Sequence, residues 1–116
     1  MTNVTVSYRN NSIVSLEADG HADFADHGED IVCAAISVLM QTAVNSLEAV
    51  AGIDYFIFES DESGYMYIEL PAKLNESQAD KANVILETVY TGLKGIAEAY
   101  PKHIKLLKRE VQTYND

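Results

Sequence analysis

Residues 4–19, VTVSYRNNSIVSLEAD, decide the fold. Val4, Val6 and Tyr8 alternate with Thr5, Ser7 and Arg9, and past Asn10-Asn11 the pattern resumes, with Val14, Leu16 and Ala18 interleaved by Ser15, Glu17 and Asp19. Successive side chains of a strand point to opposite faces, so each run carries one apolar face. An Asn-rich step between two such runs reads as a hairpin turn. The chain therefore opens on an amphipathic hairpin whose apolar face needs a cover.

The cover follows in sequence. From residue 30 to about 51, Val32, Ile36, Leu39, Ala43, Leu47 and Val50 recur at three- and four-residue steps, and Gly52 supplies a stop, which predicts a long helix laid on the sheet. Residues 55–59 and 65–70 are rich in aromatic and β-branched side chains and flank Asp61-Glu62-Ser63-Gly64, a second hairpin. Phe56 and Phe58 are expected to face inward with Met66, Ile68 and Leu70, leaving Tyr55, Ile57, Tyr65 and Tyr67 on the opposite face. Ser77, three residues before Asp80, offers a cap for a second helix through Ala82, Leu86, Val89, Leu93 and Ile96, ended by Tyr100-Pro101, with Gly92 and Gly95 allowing close packing. Residues 103–111 read as a short edge strand. The order ββαββα(β) gives an α+β two-layer sandwich, helices on one face of a mainly antiparallel sheet, as a single domain over residues 1–116.

Composition narrows the function. With 116 residues, 47% of them apolar, the chain can bury one core without a metal or disulfide. Eighteen acidic against eight basic residues leave a net charge of −10, which repels phosphate backbones and anionic lipids and attracts cationic proteins. No direct nucleic-acid or membrane partner is expected. The single cysteine, Cys33, excludes an intramolecular disulfide and a four-cysteine zinc site. MTNVTVSYRN has no signal-peptide pattern, and Ser, Gln, Asn and Glu interrupt the apolar stretches before the length of a membrane span, so the expected compartment is the cytoplasm.

The chemistry gathers in residues 20–37, GHADFADHGEDIVCAAIS, which join the second strand to the first helix through an acidic loop of about nine residues. If Asp30 is the N-cap, Cys33 falls at the third helical position, where free N–H groups and the helix dipole favour an anion such as a thiolate. At 100° per residue Cys33 lies on the flank of the apolar stripe, shared with Ser37. The residues alone leave other readings open. Cys33 suits a small buried hydrophobe, and His21 suits a strand-end histidine bonded to backbone. His21, Asp23, Asp26, His27, Asp30 and Cys33 include zinc-ligand types but match no standard spacing, so neither a metal nor any other cofactor is expected. A non-enzymatic module that binds a basic partner through its acidic surface and tyrosine-rich sheet is the alternative function.

Gly20-His21-Ala22, an acidic loop containing Gly28, and Asp30-Ile31-Val32-Cys33-Ala34-Ala35-Ile36-Ser37 resemble the motif blocks of the ribosomal-processing cysteine protease (Prp) family. The resemblance implies a cytoplasmic homodimeric endopeptidase with Cys33 as nucleophile and His21 as general base, and with Gly20, Asp30 and Ser37 at further motif positions. It implies as substrate an N-terminally extended large-subunit ribosomal protein, whose extension ends in paired Phe residues before the scissile bond. An apolar cleft would hold those rings. Phe24, in a loop expected to open and close over the substrate, and Met40, on the Cys33 flank of the helix, are the candidates to line it.

Overall fold

The computed structural model describes residues 1–20 and 27–111, without the side chains of His27, Gly28, Glu29 and Asp30. The elements run β1 (Thr2–Arg9), β2 (Ser12–Asp19), α1 (His27–Ala49), β3 (Ile57–Ser60), β4 (Met66–Glu69), α2 (Glu76–Ala99) and β5 (Ile104–Glu110). The architecture is the expected α+β sandwich. Its five-stranded sheet has the order β3-β4-β2-β1-β5. Three neighbouring pairs are antiparallel, and β5 runs parallel to β1 along the edge.

The hairpin forms as its sequence dictates. Asn10 and Asn11 both take left-handed backbone (φ 52° and 67°), the geometry of a two-residue turn that matches strand twist. Its register departs from a strict alternation. Ser7 faces Ser15, but Tyr8 faces Ile13, so Val14 is bulged out and Ile13 is the buried residue. A bulge adds one residue to one strand and changes the phase of its alternation.

Beneath the sheet, α1 contributes Val32, Ile36, Met40, Ala43, Val44 and Leu47 to the core, and α2 contributes Ala82, Ile85, Leu86, Val89 and Leu93. Val50, expected on the inner stripe, lies beyond the last turn of α1 and is 58% exposed. There the left-handed Gly52 (φ 66°) reverses the chain and Ile53 N–H bonds the Leu47 carbonyl at 3.0 Å. By length and composition, Ile31–Ala49 is apolar enough to cross a membrane despite its interrupting polar residues; its inner stripe is spent on the sheet. The cap of α2 is Asn75, paired with Gln78 in a capping box, and not Ser77 with Asp80. Gly92 admits Leu39 of α1, whose methyls would sit 3.1 Å from a Cβ there, whereas Gly95 faces open space.

The second hairpin behaves as expected: Ile68 is fully buried, Phe56, Phe58, Met66 and Leu70 pack against the core, and Tyr55 and Ile57 are exposed. Asp61 organises its turn, accepting hydrogen bonds from Ser63 N–H (2.9 Å) and the Ser63 hydroxyl (2.6 Å), and these bonds lower its carboxyl pKa. Burial, aided by Glu87, pushes the Tyr8 phenol up to about 12; burial and the hydrogen bond to Glu69 do the same for Tyr67. Unfolded phenols ionise near pH 10, so the stability these two contribute is complete below pH 10 and is lost as the pH rises towards 12. In a tyrosinate absorbance titration, Tyr8→Phe and Tyr67→Phe should each remove a late-ionising phenol. Variants whose titrations lose only a group ionising near pH 10 would contradict this.

Candidate functional site

Thr2, at the start of β1, is where the site is assembled. Its side chain is buried (3% exposed), its N–H donates to the His103 carbonyl at 2.9 Å, and it pairs with Ile104 on β5. Its Oγ1 lies 4.0 Å from Sγ of Cys33, within reach of a weak hydrogen bond to sulfur. The half-buried Cys33 thus faces the N-terminal end of the sheet's first strand. Nothing in the sequence around Thr2 signals this role; only the pairing of β1 with strands on both sides places it against α1.

Gly20 meets the same residue from the other side. A Cβ on Gly20 would stand 2.6 Å from the Met1 carbonyl oxygen and 2.6 Å from Thr2 Cα, and a Cβ on Gly64 would stand 3.0 Å from the Gly20 carbonyl. The chain therefore leaves β2 through a slot between two backbone segments that only glycine fits. Gly20→Ala is expected to force β1 from β2 at this end and lower the melting temperature by roughly 5–15 °C, corresponding to an overpacking cost of about 1–3 kcal/mol. A calorimetric scan matching the wild type would refute the slot.

The other predicted residues fall out unevenly. α1 begins at His27, so Asp30 is its fourth residue and not its N-cap, and Cys33 is its seventh. Acidic residues suit the first turn of a helix as well as its cap, which is why the sequence pattern did not separate the two. Residues 27–29, expected in the loop, are the start of the helix. The four free N–H groups of the helix end belong to residues before Cys33, so the sulfur gains less from them than a third-position cysteine would. Ser37, one turn on from Cys33, is exposed.

Met40 is overturned as a pocket residue. It is seven residues from Cys33 and on nearly the same side of α1, but it is 0% exposed. Two turns carry it about 10 Å further along the axis, beneath the sheet, where its side chain is part of the core. His21, Phe24 and the expected loop opening fall on residues 21–26, outside the described residues. A cavity of about 330 Å³, between Arg9, Ile13, Leu70, Pro71 and Asn83, lies at the turn end of the first hairpin, a strand's length from Thr2, and does not include Cys33.

Comparison with known proteins gives this arrangement its context. Residues 1–105 match the family model described as cysteine protease Prp. The ribosomal processing cysteine protease Prp of Bacillus subtilis is 33% identical over 94 residues, 81% of this chain and 84% of that protein. Among solved structures, SMU.848 of Streptococcus mutans superposes with a TM-score of 0.82 at 30% identity over 96% of each chain. The ribosomal processing protease Prp of Staphylococcus aureus, in complex with a covalently linked product peptide, superposes at 0.76 and 27% identity over 93% of this chain and 99% of that one. A match over nine-tenths of the length, on a fold that sets the half-buried thiol of Cys33 against Thr2, assigns the chain to the Prp family of cysteine proteases.

Proposed function

We propose that this protease is a Cys33/His21 endopeptidase that removes the N-terminal extension of a large-subunit ribosomal protein. The observation that carries the reading is the convergence on Thr2: Cys33 Sγ stands 4.0 Å from its hydroxyl, and Gly20 packs against its backbone. His21 follows Gly20 directly in sequence, so the candidate base is attached to the residue wedged beside the thiol's neighbour. His21 takes the Cys33 proton, the thiolate attacks the scissile carbonyl, and the departing amine takes that proton from the imidazolium, leaving a thioester. His21 then deprotonates water, which attacks the thioester and releases the acid, and the imidazolium returns its proton to the departing sulfur. Gly20, Asp30 and Ser37 support the dyad, and Phe24 remains as a pocket candidate.

The substrate assignment rests on the Prp relatives, which are named for ribosomal processing. A role in ribosomal processing supports a cytoplasmic location. Exposed Ile31 (40%), Val38 (65%) and Val50 (58%) on and just beyond α1 support a homodimer, and a monomer by sedimentation at all micromolar concentrations would contradict it.

The deciding experiment incubates the protein with an N-terminally extended ribosomal protein and reads the products by mass spectrometry. One cut after the paired Phe residues is expected, and an intact substrate overturns the reading. Replacing those Phe residues with Ala should abolish cleavage at any salt. Raising salt should slow cleavage of the full basic protein more than that of a short neutral peptide, because steering is screened over about 8 Å at physiological ionic strength; equal salt dependence would remove the steering.

A further inference from the structure

The net negative charge of this chain comes from one part of it. Between Arg9 and Lys73 there are twelve carboxylates and no lysine or arginine, whereas residues 73–116 carry seven basic and six acidic side chains. The cation-free stretch folds as β2, α1, β3 and β4, so the sheet is acidic on the β3-β4-β2 side, while Lys105, Lys108 and Arg109 lie on β5 at the far edge.

The helices cover one face of the sheet; on the other, Ser7 and Ser15 are buried and Arg9 and Arg109 line a small cavity with Tyr67 and Glu69, whereas Ile57 and Glu59 on β3 are exposed. There the register lines Glu59, Tyr67 and Glu17 up in one row across β3, β4 and β2, with Ile57, Glu69 and Ser15 in the next. Strands are about 4.8 Å apart, so two carboxylates flank one tyrosine ring at roughly 10 Å. Tyr65 donates its hydroxyl proton to Glu17 at 3.2 Å, and Tyr67 donates to Glu69. With their hydroxyls committed, the rings offer flat apolar faces between carboxylates. Tyr55 (62% exposed) and Ile57 (45%) extend the apolar surface along β3. Arg9 and Arg109 stand at the Glu69 end of this face, whereas the Glu59–Tyr67–Glu17 row carries no basic residue of its own. A lysine or arginine side chain answers both features, its stem on the ring and its charge between the carboxylates.

The surface is also continuous with the site. Asp19 immediately precedes Gly20, and the Asp61–Gly64 turn packs against the Gly20 carbonyl. From Asp19 to Ser15 the strand covers about 13 Å, the length of four extended residues.

We infer that the β3-β4-β2 face away from the helices is an exosite for a lysine- and arginine-rich stretch of the substrate, binding the mature body beyond the scissile bond while Cys33 engages the extension. This rests on the proposed processing of a ribosomal protein, whose body is basic because it binds RNA.

The test separates the two by using binding alone. A dye-labelled Lys/Arg-rich peptide with no cleavage site is titrated into the full chain and followed by anisotropy at low salt. The Glu17→Gln/Glu59→Gln variant should bind about tenfold more weakly, as should Asp61→Asn/Glu62→Gln, while Glu76→Gln/Asp80→Asn at the start of α2 should bind like the wild type. Glu17→Gln/Glu59→Gln should leave the melting temperature near that of the wild type, since a glutamine carbonyl still accepts the Tyr65 hydroxyl. No binding by the wild type, or equal loss in all three variants, overturns the exosite. If the face instead takes the basic β5 edge of a second copy, Glu17→Gln/Glu59→Gln would dissociate the dimer without weakening peptide binding, which also overturns it. Should the peptide bind as expected while extended ribosomal protein stays uncut, the processing assignment fails and the basic-segment surface stands.

Discussion

Cys33→Ala is expected to fold like the parent and to lose on the order of 10⁴- to 10⁶-fold in turnover, the range seen when an acyl-transfer enzyme loses its nucleophile. Removing the sulfur takes away the atom that forms the thioester, and no second cysteine exists to replace it. Cys33 is half-buried at the edge of the core and touches Thr2 only at 4.0 Å, so the cavity left by alanine is small and the cost in stability slight. Cys33→Ser should be almost as inactive, because a hydroxyl is far harder to ionise than a thiol. A single-turnover assay on the extended ribosomal protein distinguishes this from slow product release. Product at the wild-type rate from either variant would remove Cys33 from the mechanism.

The next largest effect is expected at His21. His21→Ala should lower kcat by about 10²- to 10⁴-fold, the usual contribution of a positioned acid–base group, with little change in KM, since the imidazole moves protons and does not hold the substrate. Two controls make the assignment sharp. His27 begins α1, and His27→Ala should stay within about twofold of the wild type. His103 is the more demanding control, because its carbonyl accepts the Thr2 N–H and so its backbone borders the site; its side-chain replacement should still leave most activity. An active His21→Ala protein with either control inactive would move the base to that residue.

How much of this could be read without coordinates depended on whether the pattern was local. The Asn10-Asn11 turn, the apolar stripes of both helices and the inward Phe56, Phe58 and Ile68 were legible because alternation and helical spacing follow directly from backbone geometry. Helix ends were less so. The start of α1 moved to His27 and the cap of α2 to Asn75 because Ser, Asp and Asn serve a cap or a first turn almost equally well, and the choice is worth about 1 kcal/mol. The bulge at Val14 was invisible because it depends on what the partner strand offers.

The candidate site divides the same way. By itself the sequence determined the ββαββα(β) order, the lone thiol on the flank of α1, and the glycine-histidine pair at the end of β2. These are properties of single segments. Only the tertiary structure decided that β5 lies parallel to β1, that Thr2 thereby stands between Gly20 and Cys33, and that Met40 is sealed in the core while Cys33, on the same side of the same helix, is not. The physical reason is that periodicity fixes the direction in which a side chain points around its own axis, whereas burial and contact depend on where along that axis another element ends.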